Sequence, residues 1–261
     1  MGTRRLGSGE RPRKLLYRKG WALLAYLAVE RRRHSRVRLA EMLWPELGNT
    51  AALTNLRQVL SDLKRAMKGA VGDGVLLIDR ESVRLCPAAS QGVFDIDLLD
   101  VGNAGADPGG AWTWLADAGE LLEDLSLEHC DEFCEWLTGM RTWSAQRLLA
   151  VLERGKDEAA AAGDWDTAIR LARRLVALDP WNEAQQRGLM RLYLELGEPG
   201  MALDCYHALE GSLKGELGVE PQLATRAMAL EIRRHAQVVA AAPVYGRWPA
   251  ASPPMRGLLR A

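Results

Sequence analysis

The sequence lacks any apolar run long enough to cross a bilayer. Its longest near-apolar stretch, Trp21 to Val29, is far short of the ~20 residues a membrane helix requires. It also lacks the apolar core of an export signal: residues 1–20 carry Arg4, Arg5, Arg11, Arg13, Lys14, Arg18 and Lys19 with no apolar core between them. A cytoplasmic protein with no membrane partner is expected. Cysteine is scarce, with four in 261 residues, and only Cys130 and Cys134 lie close together. That pattern is no disulfide framework, and no second pair completes a metal site beside His129. No G-x-x-x-x-G-K-[S/T] segment supports nucleotide hydrolysis. No catalytic set, metal site or cofactor is implied, so an enzyme is not expected.

Net charge is absent too, but the zero is a cancellation. Residues 1–92 hold 18 Lys and Arg against 8 Asp and Glu, a balance of +10, and residues 93–261 hold the opposite −10. A basic module joined to an acidic one calls for two kinds of partner, and a polyanion suits the first.

Within the basic module, Arg13 to Tyr17 can form a short strand. The apolar positions from Trp21 to Ala28 predict a helix over Arg18–Val29. Ser35 is placed to cap a second helix, Val37–Leu43, which Trp44-Pro45 stops. After the turn Glu46-Leu47-Gly48-Asn49, with Asn49 or Thr50 as cap, a third helix is expected to reach about Met67. Leu53, Leu56, Leu60, Leu63 and Met67 recur at 3-4-3-4 spacing along that helix and form one buried stripe. The opposite face carries Thr54, Asn55, Gln58, Ser61, Asp62 and Arg65, edged by Arg57, Lys64 and Lys68. Amides can read base edges while cations neutralise phosphates, which is the chemistry of a major-groove helix.

Two β-rich runs come next, Val75–Ile78 and Val83–Leu85, around the polar turn Asp79-Arg80-Glu81-Ser82. Three helices and a hairpin predict a winged helix-turn-helix over residues 13–92. Arg80 at the hairpin tip, with Arg84 on its second strand, is placed to reach a DNA backbone or minor groove.

Gly102 to Gly110 reads as a flexible break that decouples the basic module from the acidic one. Beyond the basic module, residues 93–238 are expected to be all-α. Gly163-Asp164-Trp165-Asp166-Thr167-Ala168-Ile169 returns as Gly197-Glu198-Pro199-Gly200-Met201-Ala202-Leu203, an offset of 34 residues that is the tetratricopeptide period. Leu175 and Leu209 match at the same offset. Repeats of that kind stack and present a surface to proteins. Trp112, Trp114, Trp136, Trp143, Trp165 and Trp181 are expected in helix packing, and the Pro-rich end, residues 239–261, as a disordered tail.

Three segments carry a family resemblance: Lys19-Gly20-Trp21-Ala22-Leu23-Leu24-Ala25-Tyr26-Leu27, Leu39-Ala40-Glu41-Met42-Leu43-Trp44-Pro45, and Thr54 to Arg65. With Leu217-Gly218-Val219-Glu220-Pro221 further on, they resemble the Streptomyces antibiotic regulatory protein family over residues 13–235. The resemblance implies a winged helix followed by a bacterial transcriptional activator domain. It places Asn55, Arg57, Gln58 and Ser61 at bases and Lys64 and Arg65 at phosphate. It also implies self-association or contacts with the transcription machinery, RNA polymerase being the candidate partner. The chain departs from the family at Asp62, where a basic residue is usual; pairing with Arg65 would offset that charge. The reading is a DNA-binding transcription activator, acting as a homodimer on repeated half-sites of double-stranded DNA. The alternative is a repeat-type protein adaptor with weak or no specific DNA binding, which leaves the face from Thr54 to Arg65 unexplained.

Overall fold

The computed structural model describes residues 17–100 and 108–241. The strand expected at Arg13–Tyr17, most of the Gly102–Gly110 segment and the tail from residue 242 lie outside them. The chain divides into two compact units between Asp179 and Pro180.

The first unit opens with α1 (Arg18–Glu30), then β1 (His34–Ser35), α2 (Arg36–Leu43) and α3 (Asn49–Ala70). The hairpin β2 (Leu76–Ile78) and β3 (Ser82–Leu85) is next, and the sheet order is β1-β3-β2, all antiparallel. This is the predicted winged helix, with one strand that the sequence pattern does not predict. His34 pairs with Val83 and Ser35 with Ser82. Ser35 stands at the start of α2, but its side chain makes no cap bond. Nor do Asn49 or Thr50 cap α3: that place belongs to Gly48, whose carbonyl accepts from Ala52 at 3.0 Å.

The apolar stripe of α3 behaves as its spacing requires. Leu56, Leu60, Leu63 and Met67 are buried and Leu53 is half-buried, joined by Ala52, Val59 and Ala66. They pack with Leu23 and Leu27 of α1, Leu39 and Leu43 of α2, and Val83 and Leu85 of β3.

This core does not stop at the hairpin. After a short helix α4 (Pro87–Ser90), it continues through Ile96 and Leu99 of a 3-10 turn (Asp95–Leu99), Trp112 and Leu115 of α5 (Pro108–Ala116), and Phe133, Leu137 and Leu148 of α6 (Asp131–Ala161). Leu171 and Leu175 of α7 (Trp165–Leu178) complete it. The expected decoupling at Gly102–Gly110 therefore does not separate two cores: apolar side chains on both sides of that segment pack together. Polar bonds reinforce the junction. Arg38 pairs with Glu132, Arg31 pairs with Asp97, and the Cys130 thiol, fully buried, donates to the Leu43 carbonyl at 3.3 Å. Burial pushes the Cys130 thiol up from its ordinary pKa. A Cβ at Gly155 would fall 2.7 Å from the Trp112 ring, so the bare backbone there admits α5 against α6.

The second unit contains α8 (Glu183–Glu195), α9 (Pro199–Ser212), a π-turn (Leu213–Leu217) and α10 (Leu223–Ala241). The 34-residue period is visible at atomic level in the two helix hairpins, α6–α7 and α8–α9. Gly163 and Gly197 both adopt left-handed backbone, with φ of 75° and 81°. Asp164 N–H donates to Ala159 and Gly163 N–H to Ala160; Glu198 N–H donates to Tyr193 and Gly197 N–H to Leu194. Each is a Schellman helix stop, and glycine takes its left-handed place without steric cost. Ala168 and Ala202 are both fully buried where the helices of each hairpin meet. Asp164 caps α7 by accepting from Thr167 N–H at 3.1 Å, and Asn182 caps α8 by accepting from Gln185 N–H at 3.3 Å.

The tryptophans divide. Trp112 is buried and Trp114, Trp136 and Trp165 are half-buried, whereas Trp143 and Trp181 lie at the surface. Trp143 sits instead beneath the Arg147 guanidinium. Among the described residues, no helix is long and apolar enough to cross a membrane.

Candidate nucleic-acid interface

A helix of 22 residues with one buried stripe must turn its remaining face to solvent, and α3 does so. Thr54, Asn55, Arg57, Gln58, Ser61, Lys64, Arg65 and Lys68 are all exposed. They are not equivalent. Thr54 donates its hydroxyl back to the Thr50 carbonyl at 2.9 Å. Gln58 donates to Asp62 at 3.4 Å, and Arg65 pairs with the same carboxylate at 3.6 Å, the pairing expected from their spacing. Lys68 is ion-paired to Asp73 at 2.6 Å, which holds its ammonium charged. Asn55, Arg57 and Lys64 have no partner among the described residues.

The hairpin turn is organised by a single carboxylate. Asp79 Oδ1 accepts from the backbone N–H of Glu81 at 2.9 Å and of Ser82 at 2.6 Å. Its Oδ2 accepts from the Ser82 hydroxyl at 2.7 Å and from Arg33 at 2.8 Å. A short aspartate side chain reaching its own following amides is what makes the residue a turn former. These donors, with the Ser82 hydroxyl first, hold the Asp79 carboxyl well below the usual carboxylate range. The turn projects Arg80 outward at the hairpin tip, exposed.

Between α3 and the hairpin runs a groove of about 420 Å³ lined by Lys64, Gly74, Leu76, Leu77 and Arg84, with Asp73 and Asp79 on its walls. Lys64 and Arg84 reach it from two different elements, and neither has a partner among the described residues. Thus the fold brings Lys64 of α3 and Arg84 of the hairpin to one groove.

Two cations at the hairpin carry no distinct sequence signal. Arg33 donates to Asp79 and, at 2.5 Å, to Ser82 Oγ, and Arg36 donates to the Asp79 carbonyl at 3.2 Å. In the sequence they belong only to the polar run Glu30 to Arg36, which marks a link between helices. Pairing of β1 with β3 is what brings them to the hairpin. No group of three or more His, Cys, Asp or Glu that could hold a metal occurs among the described residues.

A winged helix-turn-helix followed by paired helices is the two-part architecture that the sequence resemblance implies. The chain belongs to the bacterial transcriptional activator domain family, whose model matches residues 102–233. Among characterised proteins it is similar to the transcriptional regulatory protein MoaR1 of Mycobacterium bovis (strain BCG / Pasteur 1173P2), 35% identical over 117 residues. That match covers 44% of this chain and 35% of MoaR1. MoaR1 of Mycobacterium tuberculosis (strain ATCC 25618 / H37Rv) is 38% identical over 78 residues, 30% of this chain and 25% of the relative. The chain therefore spans about a third or less of the relatives it matches. Among solved structures it resembles Mycobacterium tuberculosis EmbR in complex with a low-affinity phosphopeptide, with a TM-score of 0.53 and 21% identity. The match covers 86% of this chain and 61% of EmbR, and at that identity it bears on the fold alone.

Proposed function

We propose that the protein is a sequence-specific transcription activator that lays α3 in the major groove of duplex DNA. Asn55, Arg57, Gln58 and Ser61 meet base edges, while Lys64, Arg65, Lys68 and Arg84 meet phosphates and Arg80 reaches the backbone or minor groove. The observation that carries this reading is the pair of free cations, Lys64 and Arg84, facing one groove between α3 and the hairpin. A phosphate-bearing strand supplies what that groove lacks. The +10 balance of residues 1–92 supports the same partner. The helical hairpins of the activator domain would contact other proteins, RNA polymerase among them, and two copies would occupy repeated half-sites.

The experiment is a genome-wide footprint of bound DNA, followed by titration of the full chain against one recovered site across salt concentrations. Selective binding that weakens steeply with salt is expected. Protein that binds partner proteins but shows no salt-sensitive DNA binding would leave the adaptor reading in its place.

A further inference from the structure

We infer that Asp62 is a positioning residue for base recognition: it fixes the Gln58 amide so that this side chain reads adenine. The inference rests on the proposed reading of α3 and gives a part to a residue that the reading leaves unused. Asp62 stands four residues after Gln58 and three before Arg65, so the three side chains are neighbours along α3. Its Oδ2 accepts from Gln58 Nε2 at 3.4 Å, and its Oδ1 pairs with Arg65 at 3.6 Å. The Asp62 side chain is only 11% exposed, against 72% for Arg65. An anion lying that close to the helix is poorly placed to meet DNA itself. It acts on the two side chains that can.

A carboxylate accepts hydrogen bonds and donates none, so the nitrogen end of the Gln58 amide turns to Asp62 and its oxygen turns away. With one N–H committed there, Gln58 keeps one acceptor, Oε1, and one donor for a base. In the major groove adenine presents the complement, a donor at N6 and an acceptor at N7, whereas guanine presents two acceptors, O6 and N7. The held amide therefore matches adenine and sets its oxygen against guanine. A glutamine with no such neighbour keeps both N–H groups free and can turn its nitrogen end to either purine. Asn55, the other amide of this face, has no partner among the described residues and lacks the constraint. Arg65 completes the arrangement, because its charge offsets that of the carboxylate near phosphates. The same pairing holds Arg65 back from DNA. Asp62 thus lowers affinity for DNA in general while sharpening preference at one base pair.

The test is competition binding by the full chain to a site recovered by the footprint, with each position varied through all base pairs. The chain is compared unaltered, as Gln58→Ala, as Asp62→Ala, as Asp62→Glu, and with Gln58→Ala and Asp62→Ala combined; circular dichroism checks that each is folded. Gln58→Ala locates the base pair that Gln58 reads, and the preferred base there should be adenine. Asp62→Ala should lower the preference for adenine over guanine at that pair on the order of fivefold, the lower end of what a bidentate contact discriminates. It should also raise affinity for all sequences, because an anion has left the DNA face and Arg65 is released. Asp62→Glu keeps a carboxylate and should retain most of the preference. Once Gln58 is alanine, Asp62→Ala should leave base preference unchanged. A role in helix stability alone would weaken binding everywhere and keep the preference intact, and that result would overturn the inference. So would a preferred base other than adenine at the Gln58 pair. If Gln58→Ala changes preference and Asp62→Ala does not, the inference alone falls. If Gln58→Ala changes preference at no base pair, the base-reading role of Gln58 falls and the inference with it.

Discussion

Trp136, in the second turn of α6, donates its indole N–H to the Glu30 carboxylate at 3.0 Å, joining residues 106 positions apart. Its ring also lies 4.8 Å from the Tyr26 ring and 5.4 Å from that of Phe133. The hydrogen bond and the aromatic packing both tie α6 to α1. Trp136→Phe keeps an aromatic ring and removes the donor, so it should cost about 1.5–3 kcal/mol, the range for a hydrogen bond to a charged group. Trp136→Ala should cost more. Urea unfolding monitored by circular dichroism measures both. If the winged helix and α5–α7 share a core, each variant should shift a single transition covering both. A transition confined to α5–α7 would mean that the core is divided.

On α3, base reading and phosphate holding should separate by mutation. Asn55→Ala or Gln58→Ala should lower discrimination at individual base pairs by about 1–3 kcal/mol. Lys64→Ala or Arg84→Ala should weaken binding to all sequences alike and reduce the salt slope by about one each. Lys68 already has Asp73 as a partner, so Lys68→Ala should have the smaller effect. The measurement is competition binding over a set of single-base variants at several salt concentrations. Uniform loss in all these mutants would remove α3 from base recognition.

The hairpin turn should be unusually resistant to acid. Asp79 is held below the usual carboxylate pKa by its donors, so its stabilising bonds are fully present above the unfolded value of about 3.9. They are lost only as pH falls through the lower folded value. In an NMR titration the Glu81 and Ser82 amide shifts should therefore move at a pH below that of an ordinary aspartate. Asp79→Asn should abolish that titration and loosen Arg33 from the hairpin. A midpoint at the ordinary aspartate value would show that the carboxylate is not engaged in solution.

The two hairpins offer a matched pair of tests. Gly163→Ala and Gly197→Ala place a Cβ in left-handed backbone, which should cost roughly 1–2 kcal/mol at each site. Thermal unfolding of the two variants should show similar losses. Ala202→Glu is more severe, because it drives a charge into a fully buried contact within the second unit. It should abolish promoter output while DNA binding at low salt survives, since the core of the winged helix is made of residues in the first unit alone. Full output from that variant would show that the second unit is dispensable.

What the sequence determined by itself was whatever depends on near neighbours. The stripe from Leu53 to Met67 set the orientation of α3, because a helix must bury one face, and so exposed Asn55, Gln58 and Lys64. The spacing of Gly163 and Gly197 located two identical helix stops, because a Schellman turn involves only six consecutive residues. Asp62 and Arg65 were within reach of each other on any helix. The tertiary structure decided the contacts between distant segments. A two-residue strand at His34–Ser35 carries no periodicity; it exists because β3, far along the chain, offers an unpaired edge. Only that pairing brings Arg33 and Arg36 to Asp79. Likewise Trp136 reads as one more apolar helix residue until α1 supplies Glu30, and Gly102–Gly110 reads as a break between domains. Flexibility of a linker is a local property, whereas burial of Phe133 and Leu137 against the winged helix is decided by the surfaces the linker brings together.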